Sequence, residues 1–306
     1  MEKSSKTTPA KQQPEQPAKS EVANAGASDK TKKANFKPPV KKAAAERSKR
    51  LKWWPWVVLL PIWTYAAFLL AQALVLGFSW VFAQTGGGIS GINPALAITV
   101  LTSLIYVAAV AIAVLVPYKL LNRRTTKVDL GLPDYPRWMD ILLAVLLFVV
   151  YLVVSGIVVV AITNGLNLDL DSNQQLPFSQ SMLTEPWQYW LAFTTLVVVA
   201  PLAEELLFRG YLYGKLRKTA PIWLAVLVTS LTFGLAHLWA PGSPLQIMVA
   251  IDTFVLSIFL CALRENTGAI WASFLLHAIK NGVAFYFLFV NPDIIQNIQA
   301  SVTMLF

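Results

Sequence analysis

Eight polar side chains with chemical capability fall within apolar stretches of the second half of the sequence: Glu204, Glu205, Arg209, His237, Asp252, His277, Lys280 and Asn281. A charged group in a hydrocarbon core costs at least ~2.5–3.5 kcal/mol, so two adjacent glutamates after "WLAFTTLVVVAPL" need a reason. A carboxylate beside an imidazole activates water as a general base. Two imidazoles and a carboxylate also make an established catalytic zinc set, and His237 and His277 are the only histidines in the chain.

Spacing sorts these residues. Glu205 and Arg209 are four apart with the acid first, the better order for a helical ion pair, so they are expected to neutralise each other. Adjacent helix positions point about 100° apart, which leaves Glu204 free to face a pocket. His277 and Asn281 share a helix face, as do Phe233 and His237. The midpoint of positions 204 and 237 falls between Ala220 and Pro221, where a helical hairpin is expected to turn. Glu204 and His237 then sit level. Glu204 lies ~16 Å along a helix from Lys215, and His277 lies ~13 Å from Gly268, so all three can meet at one depth. Asp252 and Lys280 receive no chemical role.

The elements that must hold these groups are membrane helices. Of the 306 residues, 56% are hydrophobic and only 13% charged, with mean hydropathy +0.56. A soluble domain carries roughly 25% charged residues. Seven apolar segments, each near the ~20 residues needed to cross a bilayer, cover about 53–82, 95–117, 139–163, 187–213, 221–240, 245–263 and 269–290. The expected fold is all-α, a polytopic transmembrane helical bundle of about seven spans. Trp53, Trp54, Trp56 and Trp80 fit as interface anchors. Cys261 is the single cysteine, which excludes an internal disulfide.

The net charge of +9 belongs to the N-terminal segment: residues 1–52 hold 14 Lys/Arg and 5 Asp/Glu, the remainder 11 of each. Rich in Lys, Ala, Pro, Ser and Gln, this segment is expected to be a disordered cytoplasmic tail. It abuts a span through "ERSKRLK" and is expected to attract anionic lipid rather than nucleic acid. The loops after spans two, four and six carry Lys or Arg. Those after spans one and five are uncharged, and the one after span three is acidic. This alternation predicts a cytoplasmic N-terminus and an external C-terminus. The expected parts are thus the tail 1–52, helices one to three with their loops over 53–186, a chemical core over 187–290 and a C-terminal tail 291–306.

"EELLFR" as EExxxR, "FGLAH" as FxxxH and "HAIKN" as HxxxN, in that order on three polar-bearing spans, resemble the CPBP family. These are intramembrane proteases related to the CAAX prenyl endopeptidases and to bacteriocin-immunity proteins. The resemblance covers about 187–290, a third of the chain. It implies an endopeptidase acting on membrane proteins or lipidated peptides within the bilayer. It also implies that Glu204 activates the attacking water with help from His237, that His277 and Asn281 stabilise the oxyanion, and that no metal takes part. The residues themselves leave a zinc site of Glu204, His237 and His277 open. A catalytically silent immunity or scaffold protein is the alternative within the family. "GISG" at 88–91 matches the GxSG of rhomboid proteases but lies in a glycine-rich loop. There is no HExxH motif, no Walker loop and no inverted repeat of the transporter kind.

Overall fold

The computed structural model describes residues 54–87, 91–133, 135–166, 176–239 and 244–294. The expected disordered tail, its lipid contacts, most of "GISG" and residues 295–306 of the C-terminal segment lie outside the described residues. Within them the regular structure is entirely helical. Hydrocarbon offers no partner to a backbone N–H or C=O, and a helix satisfies both internally.

Seven helices follow one another. They are α1 (Trp54–Phe82), α2 (Pro94–Leu121), α3 (Trp138–Leu166), α4 (Pro186–Leu216), α5 (Ile222–Ala236), α6 (Ile247–Thr267) and α7 (Trp271–Val290). Asn93 caps α2 by accepting from the amides of Ala95 and Leu96, with Pro94 at the first turn. Pro and Asn there suit the free donors of a helix start. Gly268, in the left-handed region at φ 70°, ends α6 as glycine commonly does.

Six of the seven helices are long and apolar enough to cross a membrane, and the chain is an integral membrane protein. The exception corrects the sequence expectation. The fifth segment, read as 221–240, forms a helix of only 15 residues, ~22 Å long. His237, expected inside a span, instead ends α5 with φ −102° and ψ 1°.

Packing divides the bundle. Only 11% of the most apolar window of α1, α2 or α3 is buried, against 50% for α4 and 44% for α6. The first three helices turn most of their surface to lipid, while α4 is enclosed by α2, α5, α7 and α1. The helix with the charges therefore meets protein, where they can be paired. Pairs α1–α2 and α5–α6 lie side by side, and α3 packs on α6 and α7. A Cβ on Gly234 would sit 2.8 Å from the Ala250 carbonyl oxygen, so the α5–α6 crossing needs glycine.

The loops after α2, α4 and α6 gather at one end. Lys218 Nζ lies 2.5 Å from Asp129 Oδ1 and Lys215 Nζ 3.6 Å from Oδ2. Partial burial works against charge on Asp129. The Lys218 and Thr126 hydrogen bonds and the charges of Lys218 and Lys215 outweigh it and pull the carboxyl down to about 2. The Ile270 amide donates to the Gly131 carbonyl at 2.9 Å. Arg217 grips Glu265 with two guanidinium hydrogen bonds of 2.8 and 2.9 Å. The loop between α2 and α3 thus braces the ends of both helices that carry the polar residues.

Candidate active site

Pro201 shapes α4 locally. It has no N–H to return to the preceding turn, and Thr194–Val199 just before it is wound as a wider π-helix. Ala200–Glu205 is a short α-helical stretch, and Leu206–Tyr213 is π-helical again. Such π segments occur frequently at functional sites. The two glutamates close the α-helical stretch between them.

Below the site lies a sealed layer. Glu205 and Arg209 have no exposed side-chain surface and meet at 3.0 Å, the ion pair expected from their spacing. The Arg209 guanidinium also lies 4.4 Å from the Phe233 ring centroid, a cation–π contact. Glu205 has a second duty that the spacing did not suggest: its Oε1 lies 3.1 Å from His277 Nδ1. A carboxylate held by a guanidinium only accepts, so Nδ1 of His277 donates and Nε2 points elsewhere. Phe233 packs edge-on to His277 and against His237, with centroids 5.8 and 4.7 Å away. Glu205 Oε2 and Arg209 Nε and Nη2 are buried without a hydrogen-bond partner. The layer is therefore held by few but strong contacts.

Above it is a partly open layer. Glu204 is 13% exposed, and its Oε2 lies 3.7 Å from His277 Nε2. Its Oε1 accepts a 2.7 Å hydrogen bond from the Tyr106 hydroxyl on α2. The His237 Nδ1 lies 2.8 Å from the Phe233 carbonyl oxygen. That oxygen can only accept, so Nδ1 carries the proton and Nε2 is the ring's acceptor nitrogen. Asn281 is half-buried one turn beyond His277, and its amide donates to the Leu196 carbonyl at 2.9 Å. Leu196 belongs to the π segment before Pro201, so α7 is pinned to α4 both ahead of the glutamates and at the glutamates themselves.

The structure thus places Glu204, His277, Glu205, Arg209 and Phe233 in one contact network, with His237 joined through Phe233. Asn281 is oriented by backbone rather than by another of these side chains. Tyr106 escaped the sequence reading: a tyrosine 98 positions from its partner leaves no spacing signal. Asp252 and Lys280, left without a role, pair at 3.5 Å. Asp252 also accepts from Tyr151 at 2.6 Å and Ser155 at 2.5 Å, which ties α3, α6 and α7 together. Among the described residues no three His, Cys, Asp or Glu side chains gather in a way that could hold a metal ion, including the zinc set Glu204, His237 and His277.

The site is thus a partly open glutamate over a buried glutamate–arginine–histidine network within a helical membrane bundle. Residues 186–283 match the family model described as type II CAAX prenyl endopeptidase Rce1-like. The match covers about a third of the chain and falls on the same segment as the motifs that resemble the CPBP family. No curated protein and no solved structure matches it. The matched segment begins with α4 and ends two residues past Asn281, so it holds every motif residue and leaves out Tyr106.

Proposed function

We propose that this protein is an intramembrane endopeptidase that hydrolyses a peptide bond of a membrane protein or lipidated peptide with water activated by Glu204. The observation that carries this reading is the split between the two adjacent glutamates. Glu205 is sealed and committed to Arg209 and His277, whereas Glu204 is partly open, takes its hydrogen bond from the neutral Tyr106 hydroxyl and has only His277 Nε2 nearby at 3.7 Å.

In the proposed reaction Glu204 takes a proton from water as the oxygen attacks the carbonyl carbon. His237, through Nε2, helps orient that water. The tetrahedral oxyanion needs donors, and Asn281 and His277 stand on the adjoining face of α7. For His277 to donate from Nε2 while Nδ1–H holds Glu205, its ring must be the doubly protonated form. The proton on Glu204 then passes to the departing amine as the C–N bond breaks. In this reading the N-terminus is cytoplasmic and the C-terminus external, as the loop charges suggest.

The test is cleavage of a membrane-anchored reporter by purified wild-type protein and the Glu204→Gln variant, with and without a zinc chelator. Glutamine keeps the Tyr106 hydrogen bond but cannot take the proton. Turnover is expected to fall at least 10²-fold at unchanged melting temperature, and the chelator is expected to have no effect. A Glu204→Gln protein that cleaves normally would overturn the assignment, and chelator sensitivity would overturn the metal-free route. Cross-linking to the inactive variant would then identify substrates. A wild-type protein that binds the trapped partners without cleaving them would instead establish a silent scaffold.

A further inference from the structure

A cavity of about 630 Å³ opens between α1, α2 and the C-terminal end of α4, where the cationic loops gather. Its size falls within the roughly 300–1,000 Å³ of ligand pockets. Its walls are apolar, built from residues such as Leu60, Trp63, Ala66, Val116 and Pro117. Trp63 donates its indole N–H to the Ala113 carbonyl at 3.2 Å, which leaves an apolar ring face toward the space.

The mouth is different. Arg123, Arg124, Lys215 and Lys218 all line it. The two lysines share Asp129. Arg123 lies 4.4 Å from the Trp56 ring and Arg124 lies 5.5 Å from that of Tyr118. Among the described residues neither guanidinium has a carboxylate partner in an ion pair. Four cations against one carboxylate, over an apolar slot beside lipid-facing helices, match an anionic head joined to an apolar chain.

We propose that this cavity binds one anionic phospholipid of the surrounding leaflet, its phosphate at Arg123 and Arg124 and one acyl chain between α1 and α2. None of Glu204, His237, His277 or Asn281 lines the space, so it is separate from the candidate active site. Lipid reaches it sideways, because α1 and α2 bury so little of their surface. The chain's own basic tail is a poor occupant, since its charge repels the mouth. The site is also distinct from any general attraction of that tail to acidic membranes.

Native mass spectrometry of the full chain tests this, with phosphatidylglycerol and phosphatidylcholine of identical acyl chains supplied in equal amounts. A single tightly held phosphatidylglycerol is expected. Each surface cation attracts anionic lipid by roughly fivefold, so loss of two is worth about ten- to thirtyfold. The Arg123→Gln, Arg124→Gln double variant is expected to lose the preference to that extent. Ala66→Phe, which fills the slot and keeps the charges, is expected to lose the bound lipid. Lys119→Gln removes a cation outside the cavity and is expected to change neither. Equal retention of both lipids by the wild type would overturn the proposal, as would a preference that survives the double variant and so belongs to the tail. An equal fall in Lys119→Gln would reduce the effect to surface charge. Displacement of the lipid by a lipidated substrate peptide would make the cavity part of substrate binding and also overturn it.

Discussion

The two adjacent glutamates show how one-residue steps on a helix divide labour. Sequence spacing was enough to pair Glu205 with Arg209 and to leave Glu204 outside that pair. It could not reveal that Glu205 also orients His277, because that contact joins α4 to α7 across 72 positions. Nor could it reveal Tyr106, which no motif marks. The double duty of Glu205 has a measurable consequence. Glu205→Gln leaves Arg209 as an unpaired buried cation, and breaking a buried pair from one side costs ~3–5 kcal/mol. Its melting temperature in detergent is expected to fall clearly. Adding Arg209→Gln removes the stranded charge and is expected to restore part of that stability. Turnover is not expected to return, because His277 Nδ1 still lacks its carboxylate. A double variant that recovers both stability and cleavage would show that Glu205 serves the ion pair alone.

Helix positions were readable because membrane spans announce themselves through length and apolarity. The expected segments 53–82 and 187–213 correspond to helices Trp54–Phe82 and Pro186–Leu216. The exception, α5, was overestimated because Leu238, Trp239 and Ala240 are as apolar as the helix before them, and hydropathy does not sense where backbone pairing stops. The π segments of α4 were equally hidden, since widening by one residue leaves composition unchanged. The glycine pair Gly210 and Gly214 was unremarked too, yet its role is steric. A Cβ on Gly210 would lie 2.8 Å from the Leu130 carbonyl oxygen, and one on Gly214 would collide with that of Asp129. Both obstacles are backbone and cannot rotate away. Gly214→Ala is therefore expected to push the bracing loop off α4 and lower stability by ~1–3 kcal/mol, read as a lower melting temperature. An unchanged melting temperature would mean that the loop shifts freely and does not brace the site.

At the scale of the molecule, charge bookkeeping along the loops anticipated which ends lie together. The contacts of Asp129 with Lys215 and Lys218, and of Arg264 with the Val128 carbonyl at 3.3 Å, join the three cationic loops at one end. Which side of the bilayer that end faces is a matter for reporter fusions. Positions 90, 130, 175 and 300 are expected to read outside, inside, outside and outside, and a cytoplasmic C-terminus would sink that orientation. The locality of the Glu205–Arg209 pair bears on how such a chain is made. A ribosome delivers α4 to the membrane after α1–α3 and before α7, and its mean hydropathy of 1.8 is the lowest of the first four spans. At that moment His277 does not yet exist. The partner one turn away is already in the nascent helix, so Glu205 and Arg209 enter as a self-neutralised unit. Glu204 meets Tyr106, which arrived earlier on α2. The order of synthesis thus makes a companion for each carboxylate available before the histidines emerge.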